Sequence, residues 1–250
     1  MIYVMSDIHG NAARFNSVME QIDLQSEDTL YVLGDVIDRY PDGIRILRSL
    51  MRMPNVKMLL GNHEYMMLNA LVRVDKENPE YTYPLRLWYQ NGGGVTHEYI
   101  KHIRKSVRQE IFDYLDTLPL NIDIEVNGKA YLLVHGAPVA MYPEYNMRHY
   151  DDQEMFAVWY RLRYSSPEIE GKTIIFGHTP TFEYQNNNPL EIWRSPKGGK
   201  IGIDCGCSFP DPLSQGDHPI CGRLACLRLD DMKVFYSEED IPEGVEEIQW

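Results

Sequence analysis

The chain has 250 residues, 44% of them hydrophobic, and a formal net charge of −13. That length and composition suit one large globular domain with a substantial core. The negative charge argues against a general nucleic-acid binder and against docking on anionic membranes; it leaves phosphate chemistry open wherever metal ions supply local positive charge.

No stretch approaches the roughly eighteen apolar residues a spanning helix needs. The N-terminus, Met1-Ile2-Tyr3-Val4, carries no basic leader and reads as a strand from the start, so a cytoplasmic protein is expected. In chain order, Ile2–Met5 predicts a strand and 11–22 an amphipathic helix with Phe15, Val18, Met19 and Ile22 on one face. Residues 29–33 form a β-rich run, Gly43–Leu50 a helix, 56–60 a strand and 64–74 a helix. This βαβαβα pattern implies a buried parallel sheet. Residues 78–118 read as a helical, cap-like insertion broken at Gly92-Gly93-Gly94. A hairpin around Asn127-Gly128 joins 122–126 to Lys129–Val134, and 152–164 predicts a helix. Further strands are expected at 173–176, 191–194, 200–203, 222–229 and 232–236, with a turn at Asp230-Asp231. The tail after Ser237 is acidic and expected to be peripheral. The four cysteines, Cys205, Cys207, Cys221 and Cys226, have a spacing unusual for zinc and read as buried thiols.

Five of the predicted strands end in polar clusters. They are Asp7-Ile8-His9-Gly10, Gly34-Asp35-Val36-Ile37-Asp38-Arg39, Gly61-Asn62-His63-Glu64, His135-Gly136 and Gly177-His178-Thr179-Pro180. Parallel strands put their carboxyl ends on one edge, where open α/β sheets hold ligands, so the five clusters should meet. Singly, Asp7 and Asp35 also read as helix N-caps, Asn62 as a turn residue, and His135 and His178 as ordinary strand-end histidines. Together they make a mixed oxygen and nitrogen set, large enough for two divalent ions, which suits manganese, iron, zinc or nickel. A glycine beside each cluster (Gly10, Gly34, Gly61, Gly136, Gly177) would let the backbone turn sharply there.

D-x-H, G-D-x-x-D-R, G-N-H-E, V-H-G and G-H-T-P, in this order, resemble the phosphoprotein phosphatase branch of the calcineurin-like metallophosphatases. The resemblance runs from Met1 to about Tyr236. It implies an α+β fold: one metallophosphatase domain over 1–250, a two-sheet β-sandwich flanked by helices in four αββα layers. It also implies a dinuclear centre, manganese first, in which Asp7 and His9 hold one ion, Asn62, His135 and His178 the other, and Asp35 bridges both. By the same resemblance His63 is the general acid, Asp38 orients it, and Arg39 and Arg161 (in Trp159-Tyr160-Arg161) bind the phosphate. The implied reaction is direct attack by a metal-bridging hydroxide, most simply on a phosphoserine or phosphothreonine protein. The alternative within the branch is a dinucleoside polyphosphate hydrolase of the diadenosine tetraphosphate type, in which the position of Asp38 is often not an aspartate. A fold that keeps the site but has lost activity would lack a ligand or the acid, and neither is missing. The chain departs from the pattern at Leu60, where many relatives have Arg, and at Tyr40-Pro41, where they often have Gly; both positions are expected at the substrate mouth. Asp204 reads as a turn or sheet-edge residue, and Tyr40, Tyr65 and Tyr142 lie near motifs but read first as packing residues. The resemblance implies a phosphorylated protein or small phosphoester as partner, and the net charge of −13 leads to the expectation of no nucleic acid and no membrane.

Overall fold

Three short apolar runs, each followed by an amphipathic helix, lie side by side in the computed structural model, which describes residues 1–75, 77, 82–145, 150–185, 190–209 and 222–238. The runs are β1 (Ile2–Met5), β2 (Thr29–Val32) and β3 (Val56–Met58), and they pair in parallel as the βαβ pattern requires. Two antiparallel strands, β9 (Ala225–Arg228) and β10 (Val234–Tyr236), extend this sheet on the β1 side. The second sheet holds the hairpin β4 (Asn121–Val126) and β5 (Lys129–Val134), then β6 (Lys172–Phe176), β8 (Lys200–Gly202) and β7 (Trp193–Arg194). Within it β5, β6 and β8 run parallel.

The two sheets face each other across a core that includes Val4, Leu33, Leu59, Leu133, Ile175 and Ile201. On the outer face of the first sheet lie α1 (Ala12–Ile22), α2 (Gly43–Leu50) and α3 (Asn62–Leu71). They share a core there with α4 (Tyr83–Gln90), α5 (Gly94–His102) and α6 (Lys105–Asp116). The outer face of the second sheet is covered by α7 (Tyr142–Tyr145) and α8 (Gln153–Trp159), with Phe156 against Phe176 and Trp193 in one cluster. This is the expected α+β, four-layer sandwich. Among the described residues no helix is long and apolar enough to cross a membrane.

The helix predicted over 152–164 is shorter than the pattern implies. Asp152 caps it, accepting the Met155 N–H at 2.7 Å, but it stops at Trp159. The carbonyl of Ala157, which a longer helix would need for residue 161, instead accepts the N–H groups of Gly136 and Ala137, both at 3.0 Å. Arg161 therefore lies beyond the helix and not on its face. The start of the 78–118 insertion, Cys221 and the tail beyond Glu238 fall outside the described residues; Cys205, Cys207 and Cys226 are buried free thiols.

Candidate metal centre

Strand register sets the site. Met5 pairs with Val32, Val32 with Met58, and Val134 with Phe176, so the loops after all five strands leave their sheets at matching levels. The loops after β1 and β2 then bind each other: His9 N–H donates to Asp35 O at 2.9 Å and Gly10 N–H to Val36 O at 2.7 Å. Asp7, His9, Asp35, Asp38, Arg39 and His178 all have φ between 51° and 73°. The sharp turns are thus made largely by the polar residues themselves, in the left-handed region that Asp and His enter more readily than most. Of the five glycines, only Gly10 and Gly34 have positive φ. At Gly61 and Gly177 close approach is the requirement, since an added Cβ would lie 2.3 Å from Asp35 Oδ1 and 2.3 Å from Asp7 Oδ2 respectively.

Asp7, His9, Asp35, Asn62, His135 and His178 form a closed, buried ring. Asp7 Oδ1 lies 4.0 Å from His9 Nε2, and Asp35 Oδ2 lies 3.7 Å from the same nitrogen. Asp35 Oδ1 is 3.5 Å from His135 Nε2, and Asn62 Oδ1 lies 2.9 Å from that atom and 2.8 Å from His178 Nδ1. The His178 N–H closes the ring on Asp7 Oδ2 at 3.0 Å. Asp35 belongs both to the group containing His9 and to the group containing His135 and His178.

The histidine tautomers follow from their other nitrogens. His9 Nδ1 faces Ile37 O at 3.3 Å, His135 Nδ1 faces Leu33 O at 2.7 Å, and His178 Nε2 faces Trp159 O at 3.1 Å. A carbonyl accepts only, so each of these nitrogens donates, and each ring turns a lone pair inward. Burial, with His63 next in weight, holds His9 well below the usual imidazole range; burial and then His135 do the same to His178. Burial alone would raise Asp35, but His135, His63, His9 and His178 outweigh it and hold its carboxyl low. Lone pairs of Asn62, His135 and His178 therefore converge with nothing but each other to meet, which is the arrangement a cation resolves. Ligand bonds of about 2.1 Å place neighbouring donors roughly 3–3.5 Å apart, close to the separations in the ring. The residues present fit a divalent metal site.

His63 lies beside this ring, fully buried. Its Nδ1 is 2.7 Å from Asp38 Oδ2 and its Nε2 is 3.9 Å from Asp35 Oδ2. Burial pushes His63 down, but Asp35 and Asp38 outweigh it and the net shift is upward. Arg39 is exposed, and its Nη2 stands 3.3 Å from His63 Nε2. Arg161, also exposed, donates from Nη1 to the His178 carbonyl at 3.0 Å. All ten residues singled out from the sequence are thus brought to one place.

A sequence model of the calcineurin-like phosphoesterase family matches residues 1–197. The chain belongs to this family. Among curated relatives, an uncharacterized protein of Methanocaldococcus jannaschii is 29% identical over 138 residues, covering 55% of this chain and 50% of that one. A symmetrical bis(5'-nucleosyl)-tetraphosphatase of Proteus mirabilis is 28% identical over 80 residues, 31% of this chain and 29% of that one. The chain thus matches half or less of the length of these relatives. Among solved structures, a candidate diadenosine tetraphosphatase superposes with a TM-score of 0.56 at 18% identity, covering 94% of this chain and 91% of its own. A protein serine/threonine phosphatase of Saccharomyces cerevisiae gives 0.54 at 15% identity, covering 97% and 81%. At such identities the likeness is one of fold.

Two positions of this calcineurin-like phosphoesterase read differently in sequence and in structure. Leu60, expected at the substrate mouth, is 1% exposed and packs in the core outside the first sheet. Asp204 follows β8 and makes the expected turn, its Oδ1 accepting the Gly206 N–H at 2.9 Å, but it is also buried within electrostatic reach of Asp7. Burial, with Asp7 next in weight, raises its carboxyl well above the usual range. The signal was available: Asp204-Cys205-Gly206 follows an apolar strand, as the other five clusters do.

Proposed function

We propose that the chain is a metal-dependent phosphomonoesterase acting on phosphoserine or phosphothreonine in proteins. The observation that carries this reading is the buried His63–Asp38 pair, 2.7 Å apart and opening beside Asp35. A serine or threonine alkoxide is a poor leaving group and needs a proton as it departs, whereas a nucleotide phosphate leaves readily without one. Asp38 accepts a hydrogen bond from the His63 Nδ1–H, which fixes the tautomer, turns Nε2 toward the reacting centre and favours the charged ring. His63 then delivers its Nε2 proton to the leaving oxygen. Arg39 and Arg161 bind phosphate oxygens, and Arg39 supplies a planar fork at the mouth.

Asp7 and His9 would hold one ion, Asn62, His135 and His178 the other, and Asp35 both; manganese is the proposed metal, and the same donors accept iron, zinc or nickel. When bound, two such ions supply positive charge against the phosphoryl oxygens and the means to make water nucleophilic at neutral pH. Leu60 leaves Arg39 and Arg161 as the two arginines proposed to bind phosphate.

A second reading, hydrolysis of dinucleoside polyphosphates, has an observation of its own. The Trp159 ring lies 6.0 Å from that of His178 and also lines, with Tyr65 and Tyr83, a cavity of about 350 Å³. Aromatic walls of this kind suit an adenine. The discriminating experiment is manganese-dependent turnover of a phosphothreonine peptide against diadenosine tetraphosphate, with Asp35→Asn as the blank. A higher kcat/KM on the peptide supports the first reading; a higher value on the dinucleotide replaces it with the second.

A further inference from the structure

The helical insertion reaches the acid pair directly. Trp88, on α4, is fully buried, and its Nε1–H donates to Asp38 Oδ2 at 2.8 Å, the same oxygen that faces His63 Nδ1. Thr96, on α5, accepts the Asp38 N–H on its Oγ1 at 3.0 Å. Gly92, between these helices, accepts the Arg39 N–H on its carbonyl at 3.2 Å. Asp38 and Arg39 are consecutive left-handed residues, with φ of 73° and 69°. Such a pair holds its shape only when its surroundings over-determine it, and three hydrogen bonds from the insertion do so.

The Trp88 contact adds orientation to support. Asp38 Oδ1 has no hydrogen-bond partner, so both donors converge on Oδ2. A carboxylate held by one donor can rotate about its terminal bond; one held by two donors on one oxygen presents that oxygen in a fixed direction. The indole is itself fixed: a Cβ at Gly93 would lie 2.3 Å from Trp88 Nε1, and the His97 ring sits 5.4 Å away on its other contact. A buried indole N–H requires an acceptor, and Asp38 is that acceptor.

We propose that Trp88 is a positioning residue for the proton donor: through Asp38 it aims His63, and with Thr96 and Gly92 it makes the insertion a working part of the active site. This rests on the reading of His63 as the general acid. A positioning role of this kind matters only where the leaving group needs a proton. The test compares kcat on two monoesters, a phosphothreonine peptide and 2,4-dinitrophenyl phosphate, whose phenolate leaves unprotonated. The variants are Trp88→Phe, Thr96→Val and, as the benchmark, His63→Asn, each loaded with manganese.

General acids contribute roughly 10²–10⁴-fold, so His63→Asn should lower the peptide-to-aryl ratio of kcat by at least about 100-fold. Trp88→Phe should lower the same ratio by about tenfold or more, in the same direction. A Trp88→Phe enzyme with an unchanged ratio, beside a benchmark that shows the loss, overturns the proposal and leaves Trp88 as packing. If His63→Asn itself leaves the ratio unchanged, the acid reading fails first and the proposal with it. Should Trp88→Phe be inactive on both esters, Thr96→Val decides on the same criterion: it removes one anchor of Asp38 at nearly constant volume, and an unchanged ratio there overturns the proposal.

Discussion

Glu64 holds Asp35 by its backbone: Glu64 Oε2 accepts the Asp35 N–H at 2.8 Å. The other oxygen, Oε1, accepts from Val36 at 2.8 Å and from Ile37 at 3.3 Å. The fully buried carboxylate thus gathers the β2 loop and fixes the residue shared by both halves of the ring. Burial and the charge of Asp35 push Glu64 up to about 7 in the metal-free chain. Glu64→Gln replaces one acceptor with a donor that must face an N–H. The expected cost is about 1–3 kcal/mol of stability, measured by urea denaturation of the metal-free protein.

Asp35 is the residue through which both groups of donors meet. Asp35→Asn keeps the shape and removes the charge. Changes to groups that merely orient metal ligands cost about 10–100-fold in affinity, so loss of this charge should cost at least about 100-fold for manganese. Isothermal titration measures it, and both binding steps should weaken, because the residue common to both halves of the ring loses its charge.

Stability of the metal-free protein should carry the signature of His178. Its folded pKa lies below the unfolded value of about 6.5, and burial is the main cause. Its contribution is therefore fully present above about pH 6.5 and is lost on acidification, as the unfolded chain takes a proton the folded chain refuses. One such proton corresponds to a slope of about 1.4 kcal/mol per pH unit. His178→Asn should flatten the acid side of the stability profile by about that amount. His63, shifted the other way, contributes below about 6.5 and loses its contribution as pH rises through its raised folded value.

Lys200 is 1% exposed, and its Nζ donates to the carbonyls of Arg163, Tyr164 and Ser166 at 3.0, 2.9 and 2.6 Å. It ties the segment that follows Arg161 to the second sheet. Lys200→Met keeps length and loses all three side-chain hydrogen bonds, leaving the buried Ser166 carbonyl unmet. A loss of about 1–3 kcal/mol is expected, seen as a lower Tm, with kcat on an aryl phosphate within about twofold of the parent because Lys200 lies outside the metal ring.

The strands and their loops are legible in the sequence because their causes are local. Ile2–Met5, Thr29–Val32 and Lys172–Phe176 are apolar runs cut off by Asp, Gly or His, and period and punctuation suffice to place them. The same grammar brings Asp7, Asp35, Asn62, His135 and His178 together. What stays hidden depends on partners far along the chain. The end of α8 is set by Gly136 and Ala137, which take the Ala157 carbonyl. The depth of Leu60 depends on which way the chain turns after β3, which ends at Met58. The Trp88 contact spans 50 residues and follows no periodicity. A tryptophan on a helical stripe reads as core, and this one is core and yet also donates to Asp38.

Among the described residues, nine non-glycine positions have positive φ, and six of them, Asp7, His9, Asp35, Asp38, Arg39 and His178, belong to the site. Each left-handed side chain of this kind costs about 1–2 kcal/mol relative to a residue free to adopt it. The metal-free fold therefore improves when such a residue is replaced by glycine, which enters this region freely. A duplicated copy of this chain, released from selection on turnover, has downhill routes to better-folding and inert descendants. High expression or heat tolerance in a relative is for that reason a poor sign of enzymatic competence, and the six left-handed positions are the ones to inspect first when sorting working phosphoesterases from retired ones.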